Sequence, residues 1–304
     1  MQERNPFHVA PVCHVRRVAR PGRAALSANI INASQQRRWS LGKVRSNRTF
    51  AMLTLPQNIL IFCVTTIVSL TVMALMNRLW PFEKRQYGDD LIGWQLSVLG
   101  TTYAVILGFM LYTVWTNFGA ATLNVDLEAN ALRTVYRLAE GLPQEQRLKL
   151  EAESRAYADA VVEGDWPAMA AGRVPDQSYG INEDMWRTLM QVKASTPSEI
   201  TAQDHALSEL SDLTARRRTR LLQSVYRLPF IFWAVLLIGA ALTLLSVIMF
   251  GSVNRRLHTL QVFSLTILIT LVMLAISDVN QPFRGWVCVS DYAFQRAQQT
   301  MHMP

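Results

Sequence analysis

Charge is scarce in this chain, and the shortage is uneven. Asp, Glu, Lys and Arg make up 17% of the residues, where a soluble domain carries about 25%. Four stretches, residues 58–77, 96–118, 228–251 and 259–277, contain none of these and no histidine. Each is long enough to cross about 30 Å of hydrocarbon as a helix, which takes roughly 20 residues at about 1.5 Å apiece. The pattern excludes an ordinary soluble globule and predicts four membrane spans. Because no span carries an intramembrane carboxylate, a proton- or ion-coupled pump is also disfavoured.

Other absences narrow the class further. Cys13, Cys63 and Cys288 are scattered without CxxC spacing, so neither a disulfide framework nor a zinc knuckle is indicated. No HExxH, GxxxxGK[ST], GxSxG or EF-hand loop occurs, and no GxGxxG follows a strand. The five histidines lie far apart, and the acidic pairs Glu163 with Asp165 and Glu183 with Asp184 are too ordinary to hold a metal. No catalysis, cofactor, metal or nucleic-acid partner is expected.

What is present begins with a basic tail. Residues 1–57 carry ten Arg and Lys within the first 50, opposed by Glu3 alone. With no apolar period, such a segment cannot bury enough surface to offset its ordering entropy and is expected to be disordered. A start at Met52 is the alternative. A real tail holds the N-terminus in the cytoplasm, and an even number of spans returns the C-terminus there. Arg255 and Arg256, in the short turn between the last two spans, count against that orientation.

Between the second and third spans, residues 119–228 hold 13 basic and 16 acidic residues, and their apolar residues recur at helical spacing. This predicts a solvated helical domain whose first helix continues span two without a break. Its stripe is read as Leu127, Ala131, Val135, Leu138 and Leu142. A second helix buries Leu150, Tyr157 and Val161, residues 164–180 read as a loop, and Asn182 caps a third helix with Trp186, Leu189 and Met190 on its apolar face. The last helix begins after Pro197 and carries Arg217 within an apolar stripe. A buried arginine needs a partner; Glu128 is the candidate, and snorkelling of Arg217 to solvent is the alternative. The cluster ARRRTRL before span three reads as a positive-inside anchor.

The second span has two dissimilar faces. Gly100, Ala104 and Gly108 stack at four-residue spacing into a groove where another helix can approach closely. Thr101, Val105 and Phe109 form a neighbouring stripe that narrows to an aromatic ring. Spacing alone leaves two readings open. Either both stripes pack inside one subunit's bundle, or the small one meets a neighbour and the other lines a hydrophobic constriction that controls ion passage.

The chain resembles a family of bacterial bestrophin-like membrane proteins over roughly residues 58–294. The motifs are YAVILGFMLYTVWTNF from Tyr103, EANALRTVYRLAEGLP from Glu128, Tyr157 followed by DWPAM from Asp165, RRRTRLLQSVYRLPFIFWAVLLIGA from Arg216, and QPFRGWVCVS from Gln281. One departure is visible: Asn280 stands where the family has an acidic residue two places before Pro282, with Asp278 two further back. The resemblance to true bestrophins implies a pentameric anion channel with four spans, both termini cytosolic and a large helical cytosolic region between spans two and three. It also implies a pore-lining second span bearing an LGF triplet, here Leu107, Gly108 and Phe109. Phe109 is carried over as a neck residue on that match, whereas Thr101 and Val105 are assigned by helical phase. The acidic calcium clasp of animal bestrophins has no counterpart.

The expected architecture is therefore an all-α, four-span helical membrane protein with a helical cytosolic domain inserted between spans two and three. Its parts are the tail (1–57), a first transmembrane hairpin (58–118), the inserted domain (119–228), a second hairpin (229–276) and a C-terminal cytosolic segment (277–304). Expected partners are the lipid bilayer of the inner membrane, further copies of the chain and small anions. A membrane-anchored interaction or signalling module without transport activity is the alternative.

Overall fold

A computed structural model describes residues 55–80, 89–250 and 254–302. Most of the basic tail, with Cys13 and the alternative start at Met52, lies outside the described residues. Those described form helices with no strand. In chain order they are α1 (Leu55–Leu79), α2 (Asp89–Leu138), α3 (Gln144–Ala160), α4 (Trp166–Ala170), α5 (Gln177–Met190), α6 (Pro197–Val225), α7 (Phe230–Phe250), α8 (Arg255–Val279) and α9 (Tyr292–His302). Four of them, α1, α2, α7 and α8, are long and apolar enough to cross a membrane, matching the four uncharged stretches.

Within the apolar layer, polar contacts and close approach hold the helices, because lipid tails supply no hydrophobic force between them. α1 lies against α8, where Ser69 Oγ and Thr266 Oγ1 are 2.8 Å apart and Thr65 Oγ1 and Thr270 Oγ1 are 3.2 Å apart. α2 crosses α7 with the Tyr103 ring pressed on Gly239, and Tyr103 donates its hydroxyl proton to the Leu236 carbonyl at 3.1 Å. Only glycine fits here, since a Cβ at position 239 would lie 2.5 Å from the ring.

Beyond the apolar layer α2 continues unbroken into the helical lobe. Its buried residues Val114, Phe118, Ala121, Val125, Glu128, Leu132 and Val135 recur at alternating four- and three-residue steps, the spacing of a coiled-coil seam. α6 answers with Ala206, Leu210, Leu213, Arg217 and Arg220 at the same steps, and the two helices pack along each other. This corrects the expected stripe: Leu127 is exposed, and Glu128 occupies its place in the seam.

The shorter helices close around this pair. Leu150, Tyr157 and Val161 are buried. α6 starts at a capping box in which Thr196 Oγ1 accepts the Glu199 amide proton while the Glu199 carboxylate accepts the Thr196 amide proton. Hydrogen bonds to that carboxylate from the Ser195 amide, the Thr196 amide and the Ser195 hydroxyl hold it below its ordinary pKa. Two expectations fail. Residues 164–180 are not one loop, because the end of the π turn Val161–Asp165, all of α4 and the first turn of α5 fall within them. Nor is Asn182 a cap: α5 begins at Gln177, and Asn182 lies inside it, buried and hydrogen-bonded to Thr214. Its amide has a partner on α6, which decides against a role at a helix end.

Candidate functional site

The two faces of the second span point away from the chain's own core. Tyr103, Leu107, Val114 and Phe118 are the side chains of this span that are buried. Val105 is 52% exposed and Phe109 65% exposed. Thr101 is exposed as well, and its hydroxyl donates to the Ser97 carbonyl at 2.8 Å. On the small face, Ala104 is exposed, and a Cβ added at Gly100 or Gly108 would meet nothing within 4 Å. Neither stripe packs against the described residues of this chain. Tyr112 and Trp115 extend the uncovered surface by one further turn.

The second feature is a buried charge node where α2 and α6 meet. Arg220 and Glu128 are both fully buried. Arg220 Nε donates to Glu128 Oε2 at 2.8 Å, and its Nη2 donates to Glu128 Oε1 at 3.1 Å and to Asp165 Oδ2 at 3.0 Å. Glu128 Oε1 also accepts the Tyr157 hydroxyl at 2.8 Å. Asp165 Oδ2 accepts the Ser178 hydroxyl at 2.6 Å, and Ser178 Oγ accepts from Arg217 Nε at 2.7 Å. Two arginines thus face two carboxylates, and hydroxyls link the pairs. Burial by itself would depress the Arg220 pKa; the Glu128 charge and its hydrogen bonds outweigh that and raise it, so the guanidinium stays charged. Burial and the neighbouring Glu128 charge push the Tyr157 phenol well above its ordinary value, so it donates.

The anticipated pair of Glu128 with Arg217 is therefore corrected. Glu128 pairs with Arg220, three residues further along the same face of α6, while Arg217 bonds Ser178 and lies over the Tyr179 ring at 5.5 Å. Arg217 is itself buried, so it does not snorkel. Nor is ARRRTRL simply an anchor, because Arg216 and Arg218 are exposed whereas Arg217 and Arg220 point into the protein.

Local geometry explains how Asp165 reaches the node. The π turn Val161–Asp165 lets α3 rotate by one residue before α4, a device that often marks a functional position. Pro167, lacking an N–H, ends the older hydrogen-bond ladder and starts α4. Trp166 then lies against the Arg220 guanidinium at 5.7 Å and meets Phe283 edge-on at 5.7 Å. The motif after α8 is thereby tied to the same node. The departure at position 280 also finds a place: Asn280 Oδ1 accepts the Leu228 amide proton at 3.2 Å, while Asp278 accepts those of Trp286 and Val287 at 3.0 and 2.9 Å. Among the described residues no group of three or more His, Cys, Asp and Glu could hold a metal ion.

These features define an all-helical membrane protein with four candidate spans, an uncovered second span and a charge-locked helical lobe. A bestrophin-like domain matches residues 63–294, and the chain belongs to the bestrophin-like family. Two solved variants of a bacterial bestrophin homologue from Klebsiella pneumoniae are similar in fold. One has a TM-score of 0.60 at 14% identity, covering 81% of this chain and 97% of its own. The other has a TM-score of 0.58 at 16% identity, covering 81% and 99%. A crystal structure described as a membrane protein variant gives a TM-score of 0.61 at 14% identity, with 81% and 98% covered. No curated protein sequence matches the chain. The motifs that carry the resemblance, separate in sequence, supply Glu128, Tyr157, Asp165, Arg217 and Arg220 to the one node.

Proposed function

We propose that several copies of this chain surround a common axis in the inner membrane and form an anion channel, with α2 of each copy lining the pore. Gly100, Ala104 and Gly108 meet the neighbouring subunit, and Thr101, Val105 and Phe109 form the neck. The observation that carries this reading is the uncovered second span. Only 11% of its apolar window is buried inside the chain, against 33% for the fourth span. A helix meant only to anchor a bundle has no need of a small-residue groove facing away from that bundle.

The chemistry of the neck follows from its side chains. An apolar constriction gates by expelling water. A phenylalanine ring has a positive edge and a negative face, so rings set edge-on to the axis favour a passing anion over a cation. The lobe of residues 119–228 and both termini lie on the cytoplasmic side in this reading, supported by the even number of spans and the family layout.

Reconstitution of purified protein into liposomes with a halide-flux assay tests the proposal. Flux is expected from the wild type, and Phe109→Ala changes conductance or selectivity while leaving thermal stability near the wild-type value, because this side chain is 65% exposed in the chain. A correctly folded oligomer without flux leaves a tethered helical module, and a strict monomer on membrane crosslinking has no central pore.

A further inference from the structure

At the end of the helical lobe, α2, α3 and α9 enclose a cleft of about 650 Å³, within the range of small-molecule sites. Four arginines line it, Arg133 and Arg137 from α2 and Arg147 and Arg155 from α3, opposed among the described residues only by Glu140 and Glu151. Glu151 is already committed, since its carboxylate accepts from Arg147 Nε at 2.9 Å and from Arg155 Nη2 at 3.5 Å. Arg155 is fixed further by donating to the Met301 carbonyl at 3.0 Å and to the Tyr136 hydroxyl at 2.8 Å. Its guanidinium is held in place before any ligand arrives.

The charge balance is incomplete. Arg133 Nε is buried and makes no hydrogen bond, although a buried donor on a charged group is costly to leave unpaired. Glu140 is exposed and is the remaining acid among the described residues of the wall. Several guanidinium groups converging from two helices suit one anion with many oxygens, because each arginine offers a planar fork to phosphate oxygens. A single chloride could satisfy one or two of them and would leave the rest facing each other.

We propose that this cleft binds a soluble oligophosphate anion of pyrophosphate size or larger. The occupant is soluble rather than a lipid phosphate, because Arg137 lies 11 helical residues past Asp126, where the uncharged run of α2 ends, roughly 17 Å along the unbroken helix at about 1.5 Å per residue.

Isothermal titration of the full-length protein in detergent, at constant ionic strength, tests the assignment with pyrophosphate, orthophosphate and short-chain phosphatidic acid. Pyrophosphate is expected to saturate one site per chain and to bind roughly ten-fold or more tightly than orthophosphate, the difference of one charge-assisted contact. Arg137→Gln, an exposed position that leaves the fold intact, weakens it by a similar factor. Glu140→Gln, which removes an opposing charge, tightens it. Arg218→Gln removes the same charge from an exposed face of α6 outside the cleft and leaves the affinity unchanged. The assignment is overturned by absence of saturable pyrophosphate binding, by equal losses in the Arg137 and Arg218 variants, by an unchanged or weaker Glu140 variant, or by preference for phosphatidic acid.

Discussion

Replacing Arg220 with methionine separates the observed charge node from the pairing that sequence alone favours. The substitution keeps an unbranched side chain in the seam but removes every N–H that Glu128 and Asp165 accept from Arg220. Glu128 would keep only the Tyr157 hydroxyl and Asp165 its bonds to Ser178, with both carboxylates fully buried. Breaking a buried ion pair on one side costs about 3–5 kcal/mol. At about 2–4 °C per kcal/mol for a chain of this order, the melting temperature should fall by roughly 10 °C. Arg217→Met loses one hydrogen bond to Ser178 and the contact with Tyr179, so about 1–3 kcal/mol is expected. Arg218→Met, exposed on the same helix, should stay within about 0.5 kcal/mol. Thermal unfolding of the detergent-solubilised variants, read by tryptophan fluorescence, gives the order Arg220, Arg217, Arg218. The reasoning fails if Arg217→Met is the most damaging of the three, or if Arg220→Met melts within about 2 °C of wild type, the equivalent of less than 1 kcal/mol.

Other perturbations follow from packing. Gly239→Ala drives a methyl group into the Tyr103 ring and should cost about 1–3 kcal/mol as overpacking; an unchanged melting temperature would mean that α2 and α7 are not in contact there. Tyr103→Phe, at the same crossing, loses only the bond to the Leu236 carbonyl and should cost about 0.5–1.5 kcal/mol in the same unfolding assay. Thr196→Ala removes the hydroxyl half of the capping box and should cost about 1 kcal/mol, with faster amide exchange confined to the first turn of α6. The combined Ser69→Val and Thr266→Val variant loses the hydroxyl pair between α1 and α8 and should weaken their association by about 0.6 kcal/mol, measured as a small drop in unfolding temperature.

The membrane half was legible because absence of charge is a strong signal: stretches of about 20 uncharged residues have few other uses in a folded chain. The uninterrupted passage of α2 into the lobe was legible for a related reason, since no proline and no Gly-Pro or Asn-Gly pair lies between Trp115 and Leu138. The node was less so. A glutamate in a seam looks, in sequence, like the polar edge of a stripe, so the apparent apolar face runs through Leu127, one residue away. Arg217 and Arg220 share a face, but four arginines in five positions resemble an anchor until burial distinguishes them. The available clue was periodic: Ala206, Leu210, Leu213, Arg217 and Arg220 keep alternating four- and three-residue steps through the cluster. Asp165 carried no such clue, because its position depends on a π turn that ordinary helical phase does not anticipate.

The length of α2 has a mechanical consequence. Fifty residues without a proline join the apolar layer to the lobe, and the 29 residues from Phe109 to Leu138 span roughly 43 Å at about 1.5 Å each. Pivoting this lever by about 5° at the aromatic ring swings its far end by roughly 4 Å on the same rise, so the two ends cannot shift independently unless the helix bends or breaks between them.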